Sequence, residues 1–493
     1  MIYNFNLGIG WASSGVEYAQ IYRARMFRNI GVDAKFVFTD MFPQENMEHM
    51  TKNIGFLDSE VIWLYTFFTD FKTAPVTYTL SDLEKTFSNM EYTKSREGKI
   101  CRYVFGGSNN FYTAYMVNDH DDFVHRVEMV SNGCLIRKDY FTYGRVYSEY
   151  YAPLDNAAHL YHRRFFNENG SVAYEEIIDD DRVMYKFKDK ILCSKEEFVG
   201  YMVSQLHLTK DDVVLIDRST NIGQSILMNC KPARVGTVVH ADHFSEKDTN
   251  DDYILWNNFY EYEFNMHKHI DFYICSTQAQ SDLMVQQFEK YYGVTPCVYT
   301  IPVGSLPELK YPSSTRKPYS LITASRLASE KHVDWICKAV IQARSEVPEL
   351  SLDIYGEGGE KSKLETIIRE NNASGYIHLM GQHDLSEVYQ NYEAYIAGST
   401  SEGFGLTLME AVGGGLPIVG FDVRYGNPTF IRNGENGYLI PLPEEDKDRI
   451  EALRKGIVDL FKQDLEHCHS VSYLVAKDFL TSSVQEKWRE AVC

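Results

Sequence analysis

Residues 2–38 read IYNFNLGIGWASSGVEYAQIYRARMFRNIGVDAKFVF. An apolar run opens this stretch, a glycine-rich loop follows, and a helical pattern ends at Gly31 before a second apolar run. Short apolar runs are typical of buried parallel strands, and the segment between them has the length of a helix. The stretch therefore predicts a strand–loop–helix–strand unit, the repeating unit of a doubly wound α/β sheet. EVIWLYTFF at 60–68 predicts a further strand.

The composition is that of a globular protein with an acidic balance. The chain has 493 residues, of which 44% are hydrophobic and 24% charged, and its formal net charge is −20. This length predicts about two to four domains. Because nucleic-acid binding relies on clustered Lys and Arg against phosphate, the acidic balance argues against nucleic acid as a partner.

The cysteines and the apolar segments favour a cytoplasmic protein. Nine cysteines are scattered without a CxxC pair, which favours reduced thiols over a disulfide framework or a zinc site. The first residues show no basic segment followed by a long apolar run, and no stretch of about 18 apolar residues occurs. We therefore expect neither a signal peptide nor a transmembrane helix. A peripheral contact with the inner face of the cell membrane stays open.

The pattern of the chain changes near residue 77. From there to residue 192, short aromatic and apolar runs alternate with turn residues such as SNG and NENG, as in an antiparallel meander. Ser194 and Glu197 then predict a capping box for a helix over 195–207. A further series of strand and helix patterns begins near residue 300. A last helical stretch is predicted to break at Ser482–Ser483.

We therefore predict an α/β protein with two Rossmann-like domains and an inserted all-β domain. The predicted bounds are 1–76 with 193–300 for the first Rossmann-like domain, 77–192 for the insertion, 301–470 for the second Rossmann-like domain and 471–493 for a C-terminal helix. In such folds, ligands bind beyond the carboxyl ends of the parallel strands, so the cleft between the two domains is the expected ligand site.

Two motifs of the first domain are candidate binding sites. The loop GIGWASSG at 8–15 would let backbone N–H groups approach an anion, but the dinucleotide fingerprint requires glycine where Ser13 stands. A ligand-free turn and a loop over a nucleotide sugar or acceptor both stay open. In VVHADHF, His240 and His243 lack a third ligand, which disfavours a metal. His240 is either a hydrogen-bonding group for a polar ligand or a buried structural histidine.

Two motifs of the second domain carry charge at predicted strand ends. SRLASEK follows a strand and contains Arg326 and Lys331, two cations that would stabilise charge on a departing diphosphate. A solvated surface turn is the alternative. SEGFGLTLMEAVGGGLP at 401–417 carries Glu402 before a predicted helix over 406–413 and Glu410 inside it. Because its flanks are almost wholly apolar, a merely solvated helix is disfavoured.

Taken in order over the whole chain, these elements resemble the GT-B retaining glycosyltransferases of family 4. RL-x-x-EK, the E-x7-E segment from Glu402 to Glu410 and the GGGLP that follows carry the resemblance. GIGWASSGVEYAQ, the β-meander, VVHADHF and TSEGFGLTLMEA are similar to the catalytic glycosyltransferase subunits of accessory secretion systems in Gram-positive bacteria. Ser325, where many relatives have glycine, and the GGG run at 413–415 are small departures from the pattern.

The resemblance implies a role for each candidate residue. Arg326 and Lys331 grip the donor diphosphate; Glu410 holds the ribose hydroxyls; Glu402, with the backbone of Gly403, Phe404, Gly405 and Leu406, holds the sugar; His240 faces the sugar; Gln382 and His383 border the uracil; and Gly15, Val16, Glu17 and Tyr18 form the loop at the nucleotide. Arg326, Lys331, Glu402 and His240 would thus be the catalytic group.

The resemblance also implies the reaction and its partners. A retaining enzyme of this kind transfers N-acetylglucosamine from UDP-GlcNAc to Ser and Thr of a serine-rich repeat adhesin, and needs no metal because cations replace Mg²⁺. The first domain faces the acceptor, the second binds the UDP-sugar, and the C-terminal helix packs on the first domain. A homologous non-catalytic subunit would stabilise the enzyme, with the β-domain as the docking surface. UDP-glucose as donor and a poly(glycerol-phosphate) teichoic acid α-glucosyltransferase stay as alternatives.

Overall fold

The computed structural model describes residues 1–9, 15–87, 90–107 and 109–493. The chain divides into two compact units, the first comprising Met1–Thr237 and Trp256–Asp271, the second Val238–Leu255 and Phe272–Cys493. The sequence predicts an inserted domain and a C-terminal helix as separate parts, which this division into two units does not test, so the predicted bounds stay a prediction. No helix among the described residues is both long enough and apolar enough to cross a membrane.

Strands and helices alternate at the start of the first unit. They are β1 (Ile2–Asn6), α1 (Gly15–Ile30), β2 (Ala34–Phe38), α2 (Met47–Ile54), β3 (Val61–Trp63) and α3 (Leu64–Phe67). The predicted strand–loop–helix–strand unit is confirmed. The strand predicted over 60–68 is wrong beyond Trp63, because the chain turns into α3 and buries Leu64 and Tyr65 there. A run that is apolar on every side does not distinguish a buried strand from a buried helix.

A ten-stranded antiparallel sheet is inserted after α3. Its region contains α4 (Leu80–Lys85), β4 (Tyr92–Glu97), β5 (Ile100–Phe105), β6 (Phe111–Met116), β7 (Val124–Ser131), β8 (Cys134–Phe141), β9 (Arg145–Leu154), β10 (Ala157–Phe166), β11 (Val172–Asp179), β12 (Arg182–Lys186) and β13 (Ile191–Leu192). The strands follow one another in chain order, so the predicted meander is confirmed.

Helix α4 corrects the prediction that residues 77–192 are entirely β. Thr79 caps this helix, because its hydroxyl accepts a hydrogen bond from the backbone N–H of Asp82 at 3.1 Å. Leu80 and Leu83 then pack with Phe87 in the hydrophobic core of the inserted sheet. The helix therefore forms to cover one apolar face of that sheet.

The chain then completes the parallel sheet of the first unit. Next in order are α5 (Lys195–Gln205), β14 (Val213–Ile216), α6 (Gly223–Asn229), β15 (Arg234–Val239), β16 (Phe244–Ser245), β17 (Leu255–Trp256) and α7 (Glu261–Asn265). Strands β16 and β17 pair in a separate two-stranded sheet, and β16 lies in the Val238–Leu255 segment of the second unit. Strands β15, β14, β1, β2 and β3 lie side by side and are parallel. The Ser194 cap of α5 is confirmed, since Ser194 Oγ accepts from Glu197 N–H at 3.2 Å. The predicted capping box is not completed, because the Glu197 carboxylate accepts from Cys193 N–H at 2.7 Å instead.

The second unit contains a six-stranded parallel sheet. The elements of this unit from Phe272 onward are β18 (Phe272–Cys275), α8 (Gln278–Tyr292), β19 (Val298–Thr300), β20 (Ser320–Ala324), α9 (Val333–Ala343), β21 (Ser351–Tyr355), α10 (Lys361–Glu370), β22 (Ile377–Gly381), β23 (Ala394–Ile396), α11 (Leu406–Gly413), β24 (Ile418–Phe421), α12 (Gly426–Phe430), β25 (Gly437–Ile440), α13 (Asp446–Leu460), α14 (Leu465–Ala476) and α15 (Thr481–Val492). Strands β20 to β25 form the six-stranded sheet, whereas β18 and β19 do not belong to it. The strand order is β22–β21–β20–β23–β24–β25.

Both faces of this sheet are buried. Along β20, Leu321 belongs to the hydrophobic core that includes residues of α9, α10 and α13. Its neighbour Ile322 belongs to the core on the other face, with residues of α11 and α14. Alternation between two helical layers is the arrangement of a doubly wound sheet.

The C-terminal helical stretch breaks earlier than predicted. Helix α14 ends at Ala476, and α15 begins at Thr481 and runs through the predicted break at Ser482–Ser483. The backbone around Leu480 pairs instead with Leu306, whose N–H donates to Phe479 O and whose carbonyl accepts from Thr481 N–H, both at 2.8 Å. This pairing, rather than the serines, interrupts the helix.

Candidate active site

Five loops follow neighbouring strands of the second unit at one edge of its sheet. In sheet order they follow β22, β21, β20, β23 and β24. All six strands are parallel, so these loops lie side by side beyond the carboxyl ends. The sequence-predicted residues of the second domain lie in these loops or in α11.

Lys331 and Glu402 form the central contact of this edge. Lys331 Nζ donates to Glu402 Oε2 at 2.6 Å, and the two side chains are 19% and 20% exposed. Lys331 lies in the loop after β20 and Glu402 in the loop after β23. Gly398 allows the approach, because a Cβ there would lie 3.0 Å from the carbonyl oxygen of Lys331 and 2.9 Å from that of His332. The structure therefore brings two predicted site residues together.

Arg326 lies in the same loop as Lys331 but points into solvent. Its side chain is 81% exposed, and its guanidinium Nη2 lies 3.3 Å from Glu330 Oε1. An exposed pair of this kind contributes little to stability. A large anion arriving at this edge would therefore meet an accessible guanidinium.

Glycines of the loop after β21 hold the Arg326 segment in place. Gly356 has φ +133°, and a Cβ there would lie 1.9 Å from Ser325 O; Gly358 has φ +158°, and its Cβ would lie 2.4 Å from Leu327 O. Only glycine fits such close backbone approaches. Leu327 N–H donates to Glu357 O at 3.0 Å. The backbone on both sides of Arg326 is thus fixed by the neighbouring loop.

The backbone of Glu402 is held by the loop after β24. Its N–H donates to Arg424 O at 3.1 Å, and its carbonyl accepts from Tyr425 N–H at 2.6 Å and from Gly426 N–H at 2.7 Å. A Cβ on Gly426 would lie 2.2 Å from Phe404 O. Glu402 is therefore restrained through both its side chain and its main chain.

Gly403 leaves the approach to α11 open, whereas Gly405 packs closely against the helix. Gly403 is exposed, and a Cβ there would meet nothing within 4 Å. Gly405 has φ +89° immediately before the helix, and Leu406 is exposed. The Phe404 side chain instead packs in the core, with its ring 5.3 Å from that of Phe430. Backbone groups of this segment, rather than the Phe404 side chain, are thus placed to meet a ligand.

Glu410 lies one helical turn further along α11. The Tyr389 hydroxyl donates to Glu410 Oε2 at 2.9 Å. Glu410 is solvent-exposed, although neighbouring protein atoms partly desolvate its carboxylate. This partial desolvation raises the pKa of Glu410 above its usual value, and the Tyr389 hydrogen bond opposes that rise.

Gln382 and His383 follow β22 at the end of the same edge. Both are exposed. His383 Nε2 lies 2.8 Å from Met380 O, and its ring meets that of Tyr355 edge-on at 6.0 Å. A carbonyl oxygen only accepts, so Nε2 carries the proton and donates this hydrogen bond. The imidazole of His383 is therefore oriented, while Gln382 faces solvent.

The two histidines of VVHADHF have different surroundings. His240 is half-buried directly after β15, at the predicted strand end. His243 is fully buried, with Nε2 2.7 Å from Gln287 Oε1, and desolvation lowers its pKa to about 4. His243 is therefore an uncharged core histidine. In the part of the chain that the structure describes, no three His, Cys, Asp or Glu residues are grouped as metal ligands.

The predicted nucleotide loop of the first unit is described in part. Gly15 begins α1, and a Cβ there would meet nothing within 4 Å. Val16 and Glu17 are buried, whereas Tyr18 is exposed. The remainder of the glycine-rich motif, at 10–14, lies outside the described residues.

The sequence interpretation missed residues that order the site. Arg424 and Tyr425 hold Glu402, and the Tyr395 hydroxyl lies 2.9 Å from Ala324 O and 3.1 Å from Thr407 Oγ1, joining β20 to α11. The sequence does contain a sign of Arg424 and Tyr425. RYG comes shortly after the apolar strand LPIVGF, and residues in that place lie at the carboxyl edge of a parallel sheet.

Two family models match the chain. The model of the GtfA extended beta-sheet domain matches residues 93–189, and that of the glycosyl transferases group 1 matches 310–473. The first match covers nearly all of the ten-stranded sheet, and the second covers the six-stranded sheet and its loops.

Several known proteins are similar to the chain over its full length. The UDP-N-acetylglucosamine–peptide N-acetylglucosaminyltransferase GtfA subunit of Streptococcus agalactiae is 52% identical over 492 residues, or 99% of this chain and 97% of that protein. A chain of the GtfA/B complex crystal structure is similar at TM-score 0.95 and 52% identity, covering 100% of this chain and 99% of that one. The pneumococcal O-GlcNAc transferase GtfA, solved with UDP and GlcNAc, is similar at TM-score 0.84 and 50% identity, covering 100% and 98%.

Proposed function

The chain belongs to the family of GtfA subunits of UDP-N-acetylglucosamine–peptide N-acetylglucosaminyltransferases, and we propose that it transfers N-acetylglucosamine from UDP-GlcNAc to Ser and Thr hydroxyls of a polypeptide. Its fold is the GT-B glycosyltransferase fold with an inserted antiparallel sheet, as the sequence predicted. The observation that carries the proposal is the pairing of Lys331 with Glu402 beside the exposed Arg326.

In this proposal the cations stabilise the leaving group. The bond between C1 of the sugar and the β-phosphate oxygen breaks, and a bond from C1 to the Ser or Thr oxygen forms on the same face. The hydroxyl proton passes to the departing phosphate. Arg326 and Lys331 stabilise the negative charge that develops on UDP, so the reaction needs no metal. Glu402 is not an acid or base in this scheme; it contacts the sugar and orients Lys331.

Other residues of the proposed site bind the rest of the donor. Glu410 accepts hydrogen bonds from the ribose hydroxyls, and Gln382 with His383 borders the uracil. Backbone groups of 403–406 contact the sugar, and His240 faces it. Gly15, Val16, Glu17 and Tyr18 of the first unit contact the nucleotide. The exposure of Gly403, Leu406 and Glu410 around α11, and of Gln382 and His383 after β22, supports these assignments for the second unit.

The acceptor and the partner are proposed from the relatives. The GtfA/B complex supports a second, homologous subunit that assembles with this chain, with the inserted sheet as its docking surface. The acceptor we propose is a serine-rich repeat adhesin of an accessory secretion system, modified in the cytoplasm at or near the inner face of the membrane. The net charge of −20 supports a partner other than nucleic acid.

The alternatives are not favoured. Relatives that match over nearly the whole chain at about half identity are named N-acetylglucosaminyltransferases acting on peptide. Neither UDP-glucose as donor nor a poly(glycerol-phosphate) acceptor has comparable support.

The proposal is tested by UDP release from a panel of UDP-sugars, with and without a Ser/Thr-rich peptide and the co-expressed second subunit. We expect UDP-GlcNAc to be the preferred donor, the peptide to increase UDP release, and mass spectrometry to find a HexNAc on the peptide. Release only with UDP-glucose, or transfer only to glycerol-phosphate polymer, would overturn it.

A further inference from the structure

We propose that Tyr425 is a positioning residue that sets the distance between the loop carrying His240 and the sugar-binding Glu402. This inference rests on the proposed function. It adds a residue that touches neither the reacting atoms nor, in the scheme above, the donor. Three observations carry it: a backbone pairing to Glu402, a buried hydroxyl aimed at the 242–243 segment, and a second link through Arg424.

The backbone of Tyr425 is paired directly with Glu402. The two residues form an isolated parallel β-bridge, with hydrogen bonds of 2.6 Å from Tyr425 N–H to Glu402 O and 3.1 Å from Glu402 N–H to Arg424 O. A shift of the 424–425 segment therefore moves Glu402 with it.

The side chain of Tyr425 points toward the loop that follows β15. Tyr425 is 1% exposed, its hydroxyl lies 3.3 Å from His243 Nδ1, and the two rings stack with centroids 6.0 Å apart. The nearby Asp242 carboxylate raises the pKa of this hydroxyl, in addition to the rise that its burial causes. His240 lies two and three residues before these contacts, so the hydroxyl fixes the loop on which it sits.

The other end of the loop contact is fixed as well. His243 Nε2 lies 2.7 Å from Gln287 on α8, and the Gln280 amide donates to Ala241 O at 2.8 Å. The 240–243 segment is thus held between α8 and Tyr425. Tyr425 therefore couples the position of α8 to that of Glu402 through buried hydrogen bonds.

Arg424 adds a second link between the same two segments. Its Nη2 lies 2.8 Å from Glu246 Oε2, and its guanidinium lies 4.9 Å from the centre of the Phe244 ring. Arg424 and Tyr425, which are adjacent in the loop after β24, therefore both contact the 242–246 loop. A single buried contact would contribute only packing. Contacts from two adjacent residues, together with the backbone bridge, instead fix the position of the 242–246 loop relative to Glu402.

The test begins with Tyr425→Phe, which keeps the ring and removes the hydroxyl. Misplacement of a reacting group by a fraction of an ångström lowers turnover steeply, so we expect kcat for peptide glycosylation to fall roughly 10- to 100-fold. The Kd for UDP should stay within about twofold, because the residues proposed to hold UDP lie in other loops. Tyr438→Phe is the matched control, since its hydroxyl accepts from Gln463 at 2.6 Å outside the site loops.

A double-mutant cycle with His240→Ala separates positioning from general stability. If Tyr425 acts through the His240 loop, Tyr425→Phe should cost much less in the His240→Ala background than in the wild type. The two losses would multiply if the tyrosine were merely structural, and that result would overturn the inference. Wild-type kcat for Tyr425→Phe would overturn it too.

Gln287→Met provides an independent variant if Tyr425→Phe does not fold. It removes the contact that holds His243 from α8, and we expect the same loss in kcat with UDP affinity retained. Equal losses in kcat and UDP affinity, together with a lower Tm, would overturn the inference. An inactive wild type would contradict the proposed function instead, so the two failures are distinguishable.

Discussion

Lys331 Nζ lies 2.6 Å from Glu402 Oε2, and the pair joins loops that follow the neighbouring strands β20 and β23. Because both side chains are largely shielded from water, salt screens this contact less than it screens a surface pair. The pair keeps an ammonium group oriented at the strand edge before any donor arrives. A diphosphate that binds there meets a cation whose position is already restricted, which lowers the reorganisation needed for charge stabilisation.

Lys331→Met should lower turnover with UDP-GlcNAc by roughly 100-fold or more, because it removes a cation that stabilises the leaving UDP. The substitution also leaves the Glu402 carboxylate without its partner beside an anionic donor. We therefore expect KM for UDP-GlcNAc to rise as well. Both constants are measured by a UDP-release assay with the peptide acceptor.

Lys338→Met is the matched control for that measurement. Lys338 is a half-buried lysine of α9 whose ammonium lies 3.7 Å from Asp334, away from the strand edge. It should keep wild-type kinetics. Near wild-type turnover for Lys331→Met would contradict the role assigned to this side chain.

Arg326→Ala should separate catalysis from stability. The side chain is 81% exposed and pairs with Glu330 at 3.3 Å, so its loss should change the free energy of unfolding by no more than about 0.5 kcal/mol. Turnover should nevertheless fall roughly 100-fold, because a charge on the leaving diphosphate loses its partner. Glu330→Ala removes the same ion pair but keeps the cation, and it should retain activity. Equal activity loss in both variants would refute the assignment.

Much of this fold could be predicted because parallel strands buried on both faces read as short apolar runs. The helix over 406–413 was predicted at its observed bounds, since glycines stand on both sides of it. Site residues of the second unit were predictable for a related reason. A residue in the loop that follows a parallel strand lies at the carboxyl edge, as Arg326 and Glu402 do.

The parts that were not predicted depend on distant contacts. Leu480 interrupts the C-terminal helices because its neighbours pair with the backbone of Leu306, some 170 residues earlier in the chain. Tyr425 forms a β-bridge with Glu402 that no local sequence pattern indicates. Local propensity cannot report such pairings, because their partners are brought together only by the completed fold.

Gly356→Ala should disturb the Arg326 loop from a distance. Gly356 has φ +133°, and a Cβ there would lie 1.9 Å from Ser325 O, so the backbone must move. We expect a loss of stability greater than about 1 kcal/mol and weaker UDP binding. Gly359→Ala lies in the same loop with nothing within 4 Å of its Cβ, and it should be silent in both respects. Calorimetry of unfolding and of UDP binding measures both effects.

Arg23→Met should destabilise the first unit. Arg23 Nη2 lies 2.5 Å from Asp217 Oδ1, and both side chains are almost completely buried. Removing the guanidinium takes away the cation that pairs with the buried Asp217 carboxylate, which costs about 3–5 kcal/mol. Arg454→Met, which removes exposed ion pairs, should cost far less. Similar unfolding temperatures for the two variants would contradict this prediction.

Binding of the ribose should depend on pH through Glu410. Partial desolvation raises the pKa of this carboxyl, so near its usual titration range the protonated form persists in the folded protein. The ionised carboxylate accepts at both oxygens, whereas protonation converts one oxygen into a donor and weakens the hydrogen bonds from the two ribose hydroxyls. Affinity for uridine should therefore increase as pH rises through the raised pKa of Glu410. Uridine is the appropriate ligand because it has no phosphate that titrates in the same range, and calorimetric titration gives its Kd at each pH.

Two neighbours should move this titration in opposite directions. The Tyr389 hydroxyl donates to Glu410 and lowers its pKa, so Tyr389→Phe should move the midpoint of uridine binding to higher pH. The Asp384 carboxylate raises the pKa of Glu410 by charge repulsion, so Asp384→Asn should move the midpoint to lower pH. Glu410→Gln should bind uridine weakly at every pH. Shifts of the same sign in both variants, or an unchanged pH profile in Glu410→Gln, would show that another group governs binding.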